Sequence, residues 1–177
     1  FAGDIPRMLY KALQAATESI WIEHCWLGDE ITVSILERAA ITGHIRVSLL
    51  LDRTQVRGGK PSGVLKLLRR LLHSGVKVRL MYMPSGLHHK KVAIIDLSLM
   101  LTGSANLTLP SLHGQNMENL VLTRSDVLIS SHLNNFRACW SKGEKLTFDG
   151  LDEIAQRLEA SKFRSLSAAP RSKTTQS

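Results

Sequence analysis

His89 and Lys91 stand two residues apart and are followed at fixed intervals by Asp96, Gly103, Ser104 and Asn106, giving H-x-K-x4-D-x6-G-S-x-N without a spacing error. On a β-strand, residues two apart project from the same face. His89 and Lys91 are therefore expected to enter one cleft, while the apolar run 92–95 anchors the strand in a sheet. These residue types suit phosphodiester chemistry. An imidazole attacks phosphorus, an ammonium beside it neutralises the phosphoryl oxygens, and the Ser104 hydroxyl and Asn106 amide add donors where charge develops. Such a site could work without a metal. Cys25 and Cys139, 114 positions apart, have neither metal-ligand nor disulfide spacing, read as buried thiols, and leave no metal or cofactor expected. His88 forms a second H-x-K with Lys90, but Asp96 then falls one position too far, so a rim or structural role is expected for it.

The elements that must position this set follow from hydrophobic periodicity. Ile5, Met8, Leu9, Ala12, Leu13 and Ala16 recur at helical spacing, and a β-rich run follows over 19–26. A helix is expected over 31–40, closed by Gly43, and a strand over 45–51, closed by Asp52. A loop over 53–63 leads to a helix over 64–73 and a strand over 76–83. Strands over 92–96 and 99–102 read as a hairpin, 119–123 as a strand and 127–140 as a helix. Residues 148–160 have the pattern of one more amphipathic helix, and 161–177, rich in Ser, Thr, Lys and Arg, read as disordered. Strands alternating with helices of about ten residues indicate an α/β architecture with mainly parallel pairing.

The set around His89 resembles the HKD signature of the phospholipase D superfamily, carried here by His89, Lys91 and Asp96 with Gly103, Ser104 and Asn106 behind them. Asn116-Met117-Glu118-Asn119 resembles the N-x-E-N element of its nuclease-like members. The resemblance spans roughly residues 4–145 and implies a central mixed sheet flanked by helices on both faces. It divides the chain into a domain with one HKD motif over 1–145, an extra helix within 146–161 and a basic tail over 162–177. It also implies a catalytic set of His89, Lys91, Asp96 and Glu118: His89 as the nucleophile that becomes a phosphohistidine, Lys91 as the phosphate-binding cation, Asp96 as a bracing carboxylate and Glu118 as the acid that orients a catalytic histidine. Ser104 and Asn106 complete the phosphate pocket in this reading. Family members need two such histidines, one to attack and one to protonate the leaving oxygen. His24, His44, His73, His113 and His132 are not followed by Lys two positions on, so a homodimer sharing its site across a twofold axis is expected, or else the chain is half of a longer two-motif protein.

Single-motif members include small endonucleases and mitochondrial cardiolipin hydrolases. Synthase-type members carry Asp-x-Arg-Ser after the trailing Asn, where this chain reads Thr108-Leu109-Pro110-Ser111, which lowers the synthase reading. The 177 residues, 44% hydrophobic and 21% charged, fit one globular domain, and no apolar run is long enough for a membrane-spanning helix. Lys plus Arg number 23 against 15 Asp plus Glu, a formal charge of +8 that favours an anionic partner; half of it lies in the last sixteen residues. Arg53, Arg57 and Lys60, spaced by Gly58 and Gly59, either line a groove for a phosphate backbone or form a solvated loop. Trp21 and Trp26 are expected in core or interface packing, and Arg69 and Arg70 on a helix surface. The expected activity is metal-independent cleavage of nucleic acid, single strands preferred. The alternatives are a phospholipase D or cardiolipin hydrolase acting on phospholipid, and a silent nucleic-acid-binding module. The chain begins at Phe1 rather than Met, so a fragment or processed product is expected, and the sequence indicates no compartment.

Overall fold

The computed structural model describes residues 4–58, 61–114 and 116–167. Three strands are parallel: β1 (Ser19–His24), β2 (Arg46–Asp52) and β3 (Lys77–Met81). β4 (Lys91–Ile95) runs antiparallel against β1, and β5 (Leu99–Gly103), β6 (Leu120–Thr123) and the short β7 (Glu144–Lys145) complete a seven-stranded sheet in the order β6-β5-β4-β1-β2-β3-β7. The helices are α1 (Asp4–Gln14), α2 (Glu30–Ile41), α3 (Arg53–Gly58), α4 (Pro61–His73), α5 (Leu109–Leu112), α6 (Asp126–Lys142) and α7 (Phe148–Ser167). The class is α/β, as the sequence indicates, and the sheet is mixed; the expected mainly parallel pairing is corrected, because four of the six pairings among the described strands are antiparallel and the parallel ones join only three neighbouring strands.

Strand alternation decides which side chain meets which layer. Ile20 and Ile22 of β1, with Ala93 and Ile95 of β4, join the large cluster with Leu9, Leu13, Val33, Leu36, Leu68 and Leu71 from α1, α2 and α4. The intervening residues face α6: Val92, Ile94 and Met100 pack on Ile129 and Leu133, and Leu50 and Met81 on Phe136. Trp21 meets Phe136 edge to face at 5.3 Å between ring centroids, and Phe136 stacks on Trp140 at 5.5 Å. Such aromatic pairs add roughly 0.5–1.5 kcal/mol each beyond the area they bury. β2 is apolar on both faces because both layers close over it, which is why its sequence stops alternating at Leu49.

The structure departs from the sequence expectations in several places, α5 and β7 among them, since neither is an expected element. Residues 53–58 form the helical turn α3 rather than a loop, because Asp52 caps it: its Oδ1 accepts the Gln55 N–H at 2.9 Å. α7 continues to Ser167, beyond the expected end of the last helix, and the remainder of the expected basic tail, residues 168–177, lies outside the described residues. Trp26, expected in core or interface packing, is exposed and so not part of this chain's core, since β1 ends at His24 and the chain turns out where Cys25 N–H bonds Lys90 O. Cys25 is buried and Cys139 half-buried, both free; burial pushes the Cys25 thiol up to about 11. No helix among the described residues is long and apolar enough to cross a membrane.

Candidate active site

The carboxyl ends of β1, β2 and β3 lie at the same edge of the sheet as the amino end of β4 and the carboxyl end of β5, and the motif residues gather there. His89 precedes β4 in an irregular segment and is exposed, whereas Lys91, the first residue of the strand, is buried. The Lys91 Nζ lies 3.2 Å from His89 Nε2 and 3.3 Å from Nδ1, and it donates to the His89 carbonyl at 3.3 Å. The expected convergence of imidazole and ammonium is present. Burial pulls the Lys91 ammonium below its ordinary value, opposed by the charges of Cys25 and Glu118.

Gly103, Ser104 and Asn119 form the neighbouring wall. A Cβ on Gly103 would stand 2.1 Å from the Asn119 carbonyl oxygen, so the close approach of β5 to the chain entering β6 requires glycine. Ser104 N–H donates to Asn119 Oδ1 at 2.9 Å, and its hydroxyl accepts the Asn119 N–H at 3.0 Å while donating to Glu118. Asn116 Nδ2 donates to Glu118 at 3.4 Å and to Ser111 at 3.5 Å. The Ser104 hydroxyl, with help from Ser111, Asn116 and the Lys91 charge, outweighs burial and holds the Glu118 carboxyl below its usual range. The structure therefore spends the one Ser104 proton on Glu118 rather than leaving it for a phosphate. Glu118 in turn bonds Ser104 and Asn116, not the His89 of its own chain. Asn106 follows three residues after the end of β5, its side-chain oxygen buried and without a hydrogen-bond partner among the described residues.

Asp96 stands elsewhere. Five residues from Lys91 along an extended strand is about 17 Å, and the carboxylate at that far end receives four hydrogen bonds: Thr17 N–H and Oγ1–H at 2.8 and 2.9 Å, and Glu18 and Ser19 N–H at 2.8 Å each. Burial pushes this carboxyl up, and those donors together pull it below the carboxylate range. Asp96 and Leu97 have φ of 48° and 53°, the two left-handed positions of a tight hairpin turn closed by Ser98 N–H to Ile95 O at 3.0 Å. The hairpin carries Asp96 away from the edge where His89 sits, and its hydrogen bonds tie that end of β4 to the start of β1, a position compatible with the bracing role expected of it.

Arg53 and Arg57 both reach Glu144, at 3.5 and 3.0 Å, and Arg53 also lies over the Tyr82 ring at 5.2 Å. Two guanidiniums share one carboxylate, which leaves a single net positive charge there rather than an open cationic track. Lys60 lies outside the described residues. Arg70 is bound to Glu37 at 2.6 Å and Arg69 to Asp152, on helix surfaces as expected.

Two residues that the motif does not contain border it. His24 pairs with Lys91 across β1 and β4; burial, then the Lys91 charge, pushes its imidazole down to about 3, so it is neutral, and its Nδ1 has no partner. Glu23, buried behind the motif, is ion-paired with Lys90 and lies 2.9 Å from His88 Nε2. Neither carries a local sequence signal, since each is brought to the motif by antiparallel pairing over some seventy positions. A mostly apolar hollow of about 290 Å³, lined by Cys25, Trp26, Leu27, Val56 and Leu67, opens at the same edge.

Comparison with known proteins bears on the fold and the family. Residues 9–140 match the family described as cardiolipin synthase, PLD-like domain. A phospholipase D from Rickettsia typhi is 30% identical over 130 residues, 73% of this chain and 60% of that protein. A mitochondrial cardiolipin hydrolase from Xenopus tropicalis is 29% identical over 122 residues, covering 67% of this chain and 54% of that one. The crystal structure of Nuc, a phospholipase D family member from Salmonella typhimurium, superposes with a TM-score of 0.73 at 23% identity, over 81% of this chain and 91% of that one. The chain thus spans about 60% of the length of the Rickettsia relative, and its fold, motif spacing and family match together make it a member of the phospholipase D superfamily, in the PLD-like domain family.

Proposed function

We propose that the chain is a phosphodiesterase that hydrolyses nucleic acid through a covalent phosphohistidine on His89. The observation that carries this reading is an exposed imidazole with a buried ammonium 3.2 Å from its ring, an ammonium bonded to no carboxylate among the described residues. An ammonium without a carboxylate counterion favours an anion beside the imidazole, where a substrate phosphate stands in line for attack. A His89 ring nitrogen forms the P–N bond as the P–O ester bond breaks. The departing oxygen takes a proton from a second histidine, which then withdraws one from the water that attacks phosphorus and releases His89. Lys91 supplies the cation for the phosphoryl oxygens, so the reading requires no metal. Asn106 is the amide left to contact the phosphate, while Ser104 and Asn116 act through Glu118.

The second histidine is the His89 of another copy. The rim of the site supports that placement, because Leu87, Leu109 and Met117, each beside a motif segment, are exposed apolar side chains of the kind a subunit contact covers. The formal charge of +8 favours a polyanionic substrate. A phospholipid is the second reading, favoured by the apolar hollow at the site edge and by the names of the Rickettsia and Xenopus relatives.

The test is cleavage of labelled single-stranded DNA and RNA in excess EDTA, wild type beside His89→Ala, with cardiolipin and phosphatidylcholine vesicles in parallel. Cleavage of nucleic acid by wild type alone supports the proposal, and lipid turnover alone moves the substrate to the second reading. Full turnover by His89→Ala overturns the mechanism. Mixed dimers of wild type and His89→Ala retaining full activity per dimer overturn the shared site.

A further inference from the structure

The four residues 88–91 alternate, so the pair that faces the site has a twin pair behind it. His88 and Lys90 point to the α6 side, where they meet Glu23 of β1, only 2% exposed. Glu23 Oε1 lies 2.9 Å from His88 Nε2 and 3.1 Å from Lys90 Nζ, and Lys90 also bonds Asn135 of α6. The His88 backbone N–H donates at 2.7 Å to Asp52 Oδ2, a carboxylate fully buried at the end of β2. His89 itself sits in irregular backbone, exposed, between two residues that are both held from behind.

Cys139 brings a thiol to the same cluster, and ligand atoms of Glu23, His88 and Cys139 lie within 4.8 Å of one another. Those are ligand types zinc accepts. Yet the Lys90 ammonium already rests on the Glu23 oxygen, so the cation of this cage is the protein's own.

We propose that Glu23 is a positioning residue for His89: by holding His88 and Lys90 it fixes the backbone on either side of the nucleophile. The inference rests on the proposed role of His89. Burial raises the Glu23 carboxyl, but the His88 bond and the Lys90 charge outweigh it and hold the group below its usual range, which keeps it ionised at neutral pH. A carboxylate this deeply buried is retained at a desolvation cost, and here its partners flank the one exposed imidazole of the motif. Partners that orient a functional histidine at metal sites are worth about 10- to 100-fold when removed, and the same range is expected here.

The experiment uses the full chain and a chromogenic bis-aryl phosphodiester, with Glu23→Gln and Glu23→Asp assayed well below their melting temperatures. Positioning predicts that kcat falls about 10- to 100-fold in both, with KM within about twofold. Glu23→Asp keeps the charge and shortens the reach, so a purely electrostatic role would spare it. A folded Glu23→Gln with kcat within twofold of wild type overturns the proposal. If neither Glu23 variant folds, Lys90→Met, altered at a third-exposed side chain, is expected to lower kcat with KM unchanged, and wild-type kcat there overturns it equally. Should the wild type turn over no phosphodiester at all, the function reading fails by itself. Positioning is then read from histidine ring NMR, where Glu23→Gln splits or broadens the His89 signals and leaves those of exposed His44 in place. Unmoved His89 signals overturn it.

Discussion

Asp96→Ala separates the brace from the chemistry. Of the four hydrogen bonds the carboxylate accepts, the one from Ser19 N–H is partly buried, while those from Thr17 and Glu18 are exposed and can turn to water. A hydrogen bond to a charged group is worth about 1.5–3 kcal/mol, and each exposed one adds about 0.5 kcal/mol. Alanine at a φ of 48° costs about 1 kcal/mol more, because only Gly, Asn and Asp tolerate that region readily. The total is about 4–5.5 kcal/mol. At roughly 2–4 °C per kcal/mol for a chain of this size, melting followed by circular dichroism should fall by roughly 8–22 °C at pH 7. Asp96→Asn keeps the turn preference and one acceptor oxygen, so about half that loss is expected. The folded carboxyl is depressed, so its contribution is fully present above the unfolded value near 4 and is lost as pH falls through the folded one. The gap between wild type and Asp96→Asn should therefore be constant from about pH 8 to 5 and shrink below about pH 4. The folded variant should keep kcat within about threefold, since its charge lies about 17 Å along the strand from Lys91. A variant that melts with wild type and loses turnover would refute the reasoning.

The site should trade stability for function at Lys91. Lys91→Met removes a buried ammonium that bonds no carboxylate among the described residues, so melting is expected at or above the wild-type temperature. Turnover should fall by about 3–4 kcal/mol of transition-state stabilisation, a few hundredfold in kcat/KM; a loss below tenfold removes Lys91 from the phosphate site. Gly103→Ala forces a Cβ against the Asn119 carbonyl and should cost about 1–3 kcal/mol by prising β5 from the chain entering β6. Because that contact also seats Ser104 against Glu118, kcat should drop with it; unchanged melting would show that the close approach relaxes freely.

What was legible in the sequence is what a single strand carries. The convergence of His89 with Lys91 needs only the two-residue repeat of an extended chain, and the hairpin after Ile95 needs only two short apolar runs with a turn between them. Asp96 sits at a fixed interval from Lys91, but its partners lie on the turn before β1 and on the first residue of that strand, and only the pairing of β1 with β4 shows that this end of the strand is remote from the chemistry. The same pairing brings Glu23 and His24 to the back and flank of the motif. No local pattern marks them, because a carboxylate amid β-branched and aromatic neighbours reads as a surface residue of an alternating strand. The Arg53 and Arg57 charges illustrate the converse: a basic run looks free until β7 brings Glu144 against it. Motif spacing thus identifies the groups able to react. Their support is set by which strands lie side by side, so the mutations that best test this protein fall at Glu23 and Asp96, one clasping the backbone that bears His89 and the other fastening the opposite end of the same strand.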